Sequence, residues 1–309
     1  MNINQYNPKG KLSVKHLLNI NSFEEADIYE VLHLARKIKT LTKVKEKISS
    51  FNDETIAIML SSTNSRVRIS FELAVKQLGG NTLYLSPDDI DFRSGLTYVD
   101  AINVLKRFGV KGLVVRVDNN IAKELDTSSP LPLINLVDTT NNPCQLLANL
   151  LTVWEKKGTI QGNTLCYLGN STEFQADTLK AYTKCGMSIN IASPENLMIK
   201  QEQINEASQY GDIFVTTDVN KAVMGADLIS SRFAVSNRLS EQDVNSLKDY
   251  IVTSDVLKNA KPNAYFMHIL PLNHNEVSND VLYGENSMVF DQAENLLYVE
   301  KALMTLLFK

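Results

Sequence analysis

The stretch that decides the fold is Ile56-Ala-Ile-Met-Leu60, followed by Ser61-Ser-Thr-Asn-Ser-Arg66-Val-Arg68-Ile-Ser-Phe-Glu72. A short apolar run, typical of a buried strand, ends in small polar residues, and a segment with helical spacing begins at the arginine. The free N–H groups and the dipole of a helix N-terminus favour an anion, and Ser65 and Arg66 add further donors. The stretch therefore predicts a strand-to-helix turn that binds an anion.

The same alternation of strands and helices continues along the chain. The strand candidates are Thr55–Leu60, Thr82–Leu85, Gly112–Val117, Leu133–Val137, Thr164–Leu168, Ser188–Ala192, Asp212–Thr216, Asp227–Ser230 and Tyr265–Ile269. The helical patterns are Ser22–Lys39 (with Ser22 as N-cap), Arg66–Leu78, Tyr98–Phe108, Gln145–Lys157, Ala176–Lys184 and Gln292–Leu307. Apolar strands that alternate with helices indicate parallel sheets covered by helices. We predict an α/β protein with two doubly wound parallel-sheet domains, formed by residues 1–144 plus 290–309 and by residues 145–289.

The composition narrows the possible functions. The chain has 309 residues, of which 44% are hydrophobic and 21% charged, and this suits two soluble domains. A formal net charge of -4 gives no general attraction to nucleic acid or to anionic membranes. The sequence has no apolar start like a secretory signal, no run close to about 20 apolar residues, and no metal-type or CxxC cysteine spacing. The turn Gly169–Phe174 lacks the GxGxxG pattern of dinucleotide-binding enzymes. We therefore expect a cytoplasmic enzyme or binding protein without metal or cofactor.

A second motif, Asn142-Pro143-Cys144-Gln145, lies at the start of a predicted helix. Proline suits the first turn of a helix. A cysteine at a helix N-terminus can have a lowered pKa, so a nucleophilic Cys144 is one interpretation. No histidine lies nearby in sequence, and a role as a spacer is favoured.

These motifs resemble those of the aspartate/ornithine carbamoyltransferases. The family's Ser-Thr-Arg-Thr-Arg loop reads Asn64-Ser65-Arg66-Val67-Arg68 here, and its His-Pro-Thr-Gln reads Asn142-Pro143-Cys144-Gln145. Arg116 falls where the family has a second phosphate-binding arginine, an interpretation we favour over an ordinary surface arginine. The resemblance implies that carbamoyl phosphate is bound and activated by Asn64, Ser65, Arg66, Val67, Arg116, Asn142 and Gln145.

Four positions depart from the family pattern on the carbamoyl side: Asn64 replaces Ser, Val67 replaces Thr, Asn142 replaces His, and Leu296 replaces the Arg of Gln-Ala-Glu-Asn-Arg. Asn142 can still donate a hydrogen bond, but it cannot carry a positive charge. Loss of one transition-state donor commonly costs about 100- to 1000-fold in rate.

The motifs for the second substrate resemble the ornithine enzymes at some positions and the aspartate enzymes at others. Arg232 stands where ornithine enzymes have Asp and aspartate enzymes have Arg, and an arginine favours an anionic acceptor. An exposed pair of arginines, Arg232 and Arg238, explains the sequence equally well. Met267-His268-Ile269-Leu270-Pro271 resembles the family's His-Cys-Leu-Pro, although a lone histidine at a strand end is more often structural. The resemblance implies an acceptor site formed by Arg232, Ser236, Asn237, His268, Ile269 and Leu270, with Leu296 as a substrate-binding position on the carbamoyl side.

The resemblance spans nearly the whole chain and is closer to the ornithine branch over most of it. It implies transfer of the carbamoyl group to the amine of an amino acid that is ornithine-like or carboxylate-bearing. It also implies a homotrimer or a higher assembly of trimers, with small-molecule substrates as its only other partners. The competing hypothesis is a catalytically inactive homologue that serves as an anion-binding, regulatory or assembly protein.

Overall fold

The computed structural model of this protein describes residues 2–46, 48–60, 65–86, 95–136, 142–172, 174, 176–233, 239–272 and 276–308, without the side chains of residues 65 and 66. The α-helices are α1 (Glu25–Lys43), α2 (Ser65–Gln77), α3 (Tyr98–Arg107), α4 (Asn119–Ser128), α5 (Pro143–Lys157), α6 (Ala176–Lys184), α7 (Gln201–Ala207), α8 (Val219–Val223), α9 (Glu241–Ser246), α10 (Ser254–Lys258), α11 (Asn279–Leu282) and α12 (Val289–Leu307). Among the described helices, none combines the length and apolar character needed to cross a membrane.

The chain divides into two compact units. The first unit comprises Asn7–Leu151 and Asn295–Lys309, and the second unit comprises Met1–Tyr6 and Thr152–Glu294. The divisions lie within α5, between residues 151 and 152, and within α12, between residues 294 and 295. Each unit is built on one parallel sheet, which confirms the predicted fold class.

The sheet of the first unit has four parallel strands. They are β1 (Thr55–Met59), β2 (Asn81–Leu85), β3 (Val110–Val115) and β4 (Leu133–Asn135), in the order β2-β1-β3-β4. From β1 the chain passes to β2 on one side and later to β3 on the other, so the topological switch point lies between β1 and β3. Ligands of open α/β sheets bind outside the carboxyl ends of the strands at such a point.

The sheet of the second unit has five parallel strands. They are β5 (Thr164–Gly169), β6 (Ser188–Ala192), β7 (Ile213–Thr216), β8 (Leu228–Arg232) and β9 (Tyr265–Met267), in the order β7-β6-β5-β8-β9. The chain moves from β5 towards β6 and β7 on one side and reaches β8 and β9 on the other. The second switch point therefore lies between β5 and β8.

The central strands β1, β3 and β5 are apolar and mostly buried, whereas the edge strands β2 and β7 are more exposed. In the first unit, Leu113 and Val115 of β3 pack with Leu105 of α3 and Leu125 of α4. On β3, a Cβ atom at Gly112 would lie 2.4 Å from the ring of Phe308, so only glycine lets the C-terminal aromatic side chain pack there. Fully burying each large apolar side chain contributes about 1.5 to 3 kcal/mol.

Helix α1 does not begin where the sequence pattern predicts. The prediction of Ser22 as its N-cap is wrong, because Ser22 ends a short 3-10 helix and Glu24 is the N-cap residue. Asp27, in the first turn of α1, accepts a hydrogen bond from the Glu24 N–H at 3.1 Å. A reciprocal carboxylate cap of this kind satisfies an N–H group that the helix itself leaves unpaired.

A buried ion network fixes the amino-terminal edge of the second sheet. Asp227, just before β8, accepts hydrogen bonds from Lys261 Nζ at 2.7 Å and from the Thr164 N–H of β5 at 3.0 Å. Lys157 Nζ lies 3.3 Å from the other oxygen of this carboxylate. Burial alone would raise the pKa of Asp227, but these lysines and the N–H group lower it below its ordinary value. The network therefore holds an ionised Asp227 between the starts of β5 and β8.

His16 is a buried histidine in the first unit, directly before the segment that pairs with β4. Neither ring nitrogen has a hydrogen-bond partner within the described part of the chain. Burial, with a smaller effect of Lys15, lowers the pKa of His16 to about 4, although Asp126 acts in the opposite direction. The imidazole is therefore neutral at physiological pH.

Candidate active site

Arg116 lies at the carboxyl edge of the first sheet, directly after β3 and beside the switch point. Its side chain is half-buried, with Nε and Nη2 enclosed by the protein. Asn135, which ends β4, holds the adjacent backbone: its Oδ1 accepts from the Val117 N–H at 3.1 Å and its Nδ2 donates to the Val117 carbonyl at 3.3 Å. Asn135 was not among the predicted site residues, because the sequence pattern puts it inside a strand that was expected to run to Val137.

The predicted anion-binding loop connects β1 to α2. Ser65 and Arg66 are the first two residues of α2, whereas Asn64 and the side chains of Ser65 and Arg66 lie outside what the structure describes. Val67 follows in the first turn and is only 3% exposed. Residue 67 therefore offers a ligand no polar side-chain group, in line with its departure from the family pattern.

Asn142 directly precedes α5 and caps its N-terminus. Its Oδ1 accepts hydrogen bonds from the backbone N–H of Cys144 at 2.9 Å and of Gln145 at 3.4 Å, the usual function of an N-cap asparagine. The amide oxygen is thus directed to the helix, and Nδ2 is the group that can donate to a ligand. Gln145 is also buried and donates from Nε2 to Asn149 Oδ1 at 3.1 Å, which fixes its orientation.

The Cys144 thiol is fully buried in the first turn of α5. Burial raises the pKa of Cys144 well above its ordinary value, and the negative charge of Glu300 raises it further. Glu300 belongs to α12, and its Oε1 lies 2.8 Å from the Ser70 hydroxyl of α2. A buried neutral thiol is a poor nucleophile, so the geometry favours the spacer interpretation of Cys144.

Leu296 occupies the α12 position where the family motif has arginine. It is 2% exposed and adds to the apolar interior of the first unit. The neighbouring Asn295 accepts a hydrogen bond from the buried Lys39 Nζ at 2.7 Å. Position 296 thus supplies packing, and it has no donor for a carbamoyl oxygen.

Arg232 is the last residue of β8, beside the second switch point. It pairs in register with Gly169 at the end of β5, and its carbonyl accepts a hydrogen bond from the Asn170 N–H at 2.8 Å. Its side chain is half-buried. The other predicted residues of this loop, Ser236 and Asn237, lie outside the described residues.

His268 follows β9, and its contacts are with other buried side chains of the second unit. Its backbone N–H donates to Gln292 Oε1 at 2.8 Å, and its Nε2 lies 2.9 Å from Glu276 Oε2. Both side chains of the His268–Glu276 pair are buried, whereas Ile269 and Leu270 are half-buried. Glu276 belongs to no motif that the sequence shows, because its contacts with His268 and Phe233 form only in the folded chain. The pair joins the two sides of the loop that contains Ile269 and Leu270.

Within each unit, the switch point has some, but not all, of that unit's predicted residues beside it. Arg116 and the start of α2 flank the first switch point, and Arg232 and the turn after β5 flank the second. Within the described part of the chain, no group of three or more His, Cys, Asp or Glu residues is arranged to hold a metal ion. The arrangement suits a two-domain α/β protein with anionic small-molecule ligands.

Comparisons with protein families, curated relatives and solved structures show which two-domain α/β proteins this chain is similar to. The carbamoyl-P binding domain of the aspartate/ornithine carbamoyltransferases matches residues 15–155, and the family's Asp/Orn binding domain matches residues 161–307. The ornithine carbamoyltransferase of Pyrococcus abyssi is 33% identical over 306 residues, which cover 96% of each chain. The solved ornithine carbamoyltransferase from Pyrococcus furiosus has a TM-score of 0.86 at 32% identity and 97% coverage of both chains.

A crystal structure of an N-acetyl-L-ornithine transcarbamylase in complex with PALAO is also similar, with a TM-score of 0.80 at 26% identity over 95% of this chain and 100% of that chain. This chain belongs to the aspartate/ornithine carbamoyltransferase family. That membership confirms the resemblance of the motifs and its leaning to the ornithine branch.

Proposed function

We propose that this protein transfers the carbamoyl group of carbamoyl phosphate to the primary amine of an amino acid. The observation that carries the proposal is the match of both substrate-binding domains of the family, end to end, on this chain. Arg66, Arg116 and Gln145 are kept at their motif positions. The relatives reported above are named for carbamoyl transfer to ornithine or to N-acetyl-L-ornithine.

The phosphate would be held at the first switch point. Arg116 would supply charge from the end of β3, and Ser65, Arg66 and the free N–H groups of the α2 N-terminus would supply donors from the other side. A helix N-terminus and arginine both stabilise phosphate oxygens. The hydrogen bonds between Asn135 and Val117 support this role because they fix the backbone next to Arg116 before any ligand binds.

The carbonyl group would be polarised by Asn142 Nδ2 and by the Gln145 amide at the start of α5. The neutral amine attacks the carbonyl carbon, a C–N bond forms, and the C–O bond to phosphate breaks from a tetrahedral intermediate. The amine proton leaves with phosphate or water. Positioning and electrostatic stabilisation of the oxyanion provide the acceleration, without covalent catalysis. Because Asn142 has no titrating group, this polarisation does not depend on pH.

The amine would be oriented at the second switch point. The backbone carbonyls around Leu270 would accept its hydrogens, and Arg232, Ser236 and Asn237 would contact the rest of the acceptor. The pairing of His268 with Glu276 supports this because it anchors the loop from both sides. In this proposal His268 is a positioning residue.

The proposal is tested by ureido-product formation from carbamoyl phosphate, with ornithine, N-acetylornithine, aspartate and putrescine supplied separately. Arg66→Ala should abolish most of the turnover, whereas Arg107→Gln, which removes an exposed arginine of α3, should not. If turnover is unchanged in Arg66→Ala, the proposed phosphate site is wrong. A folded wild-type protein that yields no product with any acceptor would argue for the second candidate function.

That second candidate is an inactive homologue that binds an anion. It is favoured by two buried apolar side chains, Val67 and Leu296, at positions where the family has polar groups. Calorimetry separates the two candidates: carbamoyl phosphate that binds but is consumed no faster than in buffer identifies the inactive form. A return of activity in the double variant Asn142→His, Leu296→Arg would show that only these groups are missing.

We also propose that the protein is a cytoplasmic homotrimer, or a higher assembly of trimers, as the family resemblance implies. The expected mass is three times the 34.6 kDa chain or a multiple of that. Light scattering at the assay concentration measures it. A stable monomer with full turnover would refute both the trimer and any site shared between subunits.

A further inference from the structure

Glu300 of α12 is a buried acidic residue inside the first unit, and no step of the proposed carbamoyl transfer uses it. Its side chain is 0% exposed. Its Oε1 lies 2.8 Å from the hydroxyl of Ser70, in the second turn of α2. The residues one turn away on the same face of α12, Leu296 and Met304, are apolar and also buried. These two neighbours therefore supply no charge that could balance a Glu300 carboxylate.

The Glu300 carboxyl group lies beside the N-terminal turns of α2 and α5, the two helices that the proposed carbamoyl phosphate site uses. On the α2 side, the Ser70 hydroxyl that contacts Glu300 also lies 2.9 Å from the carbonyl oxygen of Val67 in the first turn. On the α5 side, burial raises the pKa of the Cys144 thiol, and the negative charge of Glu300 raises it further. A hydroxyl donor and the positive ends of two helices favour a carboxylate in its ionised form.

A buried negative charge at this place opposes the binding of an anion. The proposed phosphate site combines Arg66, Arg116 and the N–H groups of the α2 N-terminus, and all of these attract phosphate. Two unit charges about 10 Å apart, at an effective dielectric constant of about 20, change an affinity roughly 10-fold. Because Glu300 is buried, dissolved salt screens this repulsion only weakly. The carboxylate therefore offsets part of the attraction that the arginines and the helix provide.

We propose that Glu300 sets the phosphate affinity of the site: its carboxylate repels the bound anion, so that phosphate is released readily after carbamoyl transfer. This inference rests on the proposed phosphate site. The repulsion acts alike on carbamoyl phosphate and on the product phosphate, because both carry the same anionic group. Weaker binding of both raises KM and relieves product inhibition, without changing the barrier that leads from the bound state. Glu300 acts on the ligand through its charge, so it is an affinity-determining residue and not a catalytic one.

Glu300→Gln removes the charge and keeps an oxygen for the Ser70 hydroxyl. Its Kd for inorganic phosphate, measured by calorimetry, should be about 10-fold lower than that of the wild type, and KM for carbamoyl phosphate should fall by a similar factor. Glu300→Met should have the same effect, because the Ser70 hydroxyl can then donate to the Val67 carbonyl. A well-packed apolar side chain in place of a buried ion is often neutral or stabilising, so this variant is expected to fold.

Three controls locate the effect. Glu124→Gln, which removes an exposed carboxylate of α4 and changes the net charge equally, should leave the Kd for phosphate unchanged. Ser70→Ala removes the hydroxyl but keeps the charge, and it should not tighten phosphate binding. The double variant Arg116→Ala, Glu300→Gln should bind phosphate weakly, because the gain requires the Arg116 site. A merely structural Glu300 would weaken phosphate binding when changed, so the sign of the effect separates the two roles.

An equal or higher Kd for phosphate in the folded charge-removing variants overturns this inference, although the phosphate site itself would then stand. Tighter binding that persists in the double variant Arg116→Ala, Glu300→Gln also overturns it, because the phosphate would then lie elsewhere. If the folded wild type and all variants fail to bind phosphate, the proposed phosphate site is overturned together with this inference.

Discussion

The two switch points occupy equivalent places in their sheets, but their polar groups are differently engaged. At the first, Asn135 holds the backbone beside Arg116 and Asn142 caps α5, so these amides bond largely to the protein itself. At the second, Arg232 has two buried nitrogens without a hydrogen-bond partner within the described part of the chain. Both edges carry an arginine, but the first edge is held by side-chain amides and the second by main-chain hydrogen bonds between the ends of β5 and β8.

This difference separates two kinds of change from the family pattern. Changes at the first switch point should alter the rate with every acceptor alike, because carbamoyl phosphate is common to all of them. Changes at the second should alter the choice of acceptor. A variant therefore affects the first switch point if it changes kcat/KM by the same factor for all acceptors. It affects the second switch point if it changes the order of the acceptors.

The largest effect is expected from Arg116→Ala. Loss of the charge after β3 should lower kcat/KM about 1000-fold, the upper end for removal of one transition-state stabilising group, and by the same factor for each acceptor. Steady-state kinetics with two acceptors measures this, with Arg107→Gln as the control. A fall in kcat/KM of less than about 10-fold, or a fall with one acceptor only, would contradict the assignment of Arg116 to a phosphate site that serves all acceptors.

Asp227→Asn should destabilise the second unit by about 3 kcal/mol, because it leaves the buried Lys157 without its carboxylate. Urea unfolding measures the loss, and Asp255→Asn, which removes an ion pair on an 89% exposed side chain, should cost about 0.5 kcal/mol or less.

The pKa of Asp227 is lowered in the folded state. Its stabilisation is therefore present above the ordinary pKa of 3.8 and is lost as the pH falls through the folded value. The difference between wild type and Asp227→Asn should accordingly shrink in acid. An undiminished difference at low pH would contradict the assignment of an ionised Asp227.

Asn142→Asp separates the two functions of this side chain. The carboxylate can still cap α5, so stability should be kept, but the Nδ2 donor is gone and kcat/KM should fall about 100-fold. Asn142→Ala should lose both, with an added cost of about 1 kcal/mol in unfolding free energy. Equal stability of the two variants would show that the cap is unimportant, and full activity of Asn142→Asp would remove Nδ2 from the mechanism.

The smallest effect concerns His16 in the first unit. Because its folded pKa is lowered to about 4, the unfolded chain binds a proton at a higher pH than the folded protein does. Stability should fall as the pH drops below 6.5, by about 1 kcal/mol between pH 7 and pH 5.5. His16→Leu should remove this part of the pH dependence, and an unchanged slope in urea unfolding would refute it.

Much of the fold follows from the sequence because apolar runs identify buried parallel strands. Each predicted strand overlaps a strand of the structure, and α6 has the predicted bounds. Short helices such as α8 and α10 are not predicted, because five residues hold too little of a 3.6-residue period to be recognised.

Only those site residues that lie at positions of a recognisable motif were predictable from the sequence. Matching motifs indicated Arg116 and Asn142, but not which atoms of Asn142 the helix uses. Asn135 and Glu276 act through contacts with residues distant in sequence, and no local pattern reveals them.

The most direct test follows the carbon atom itself. Carbamoyl phosphate labelled with carbon-13 would be mixed with the protein and with equal amounts of ornithine, N-acetylornithine and N-acetylputrescine, and the products would be read by NMR. We predict a new ureido carbon on N-acetylornithine, lost in Arg116→Ala and much reduced in Arg232→Gln. Label that appears only in the breakdown products found without protein would contradict the assignment of this chain as a carbamoyltransferase.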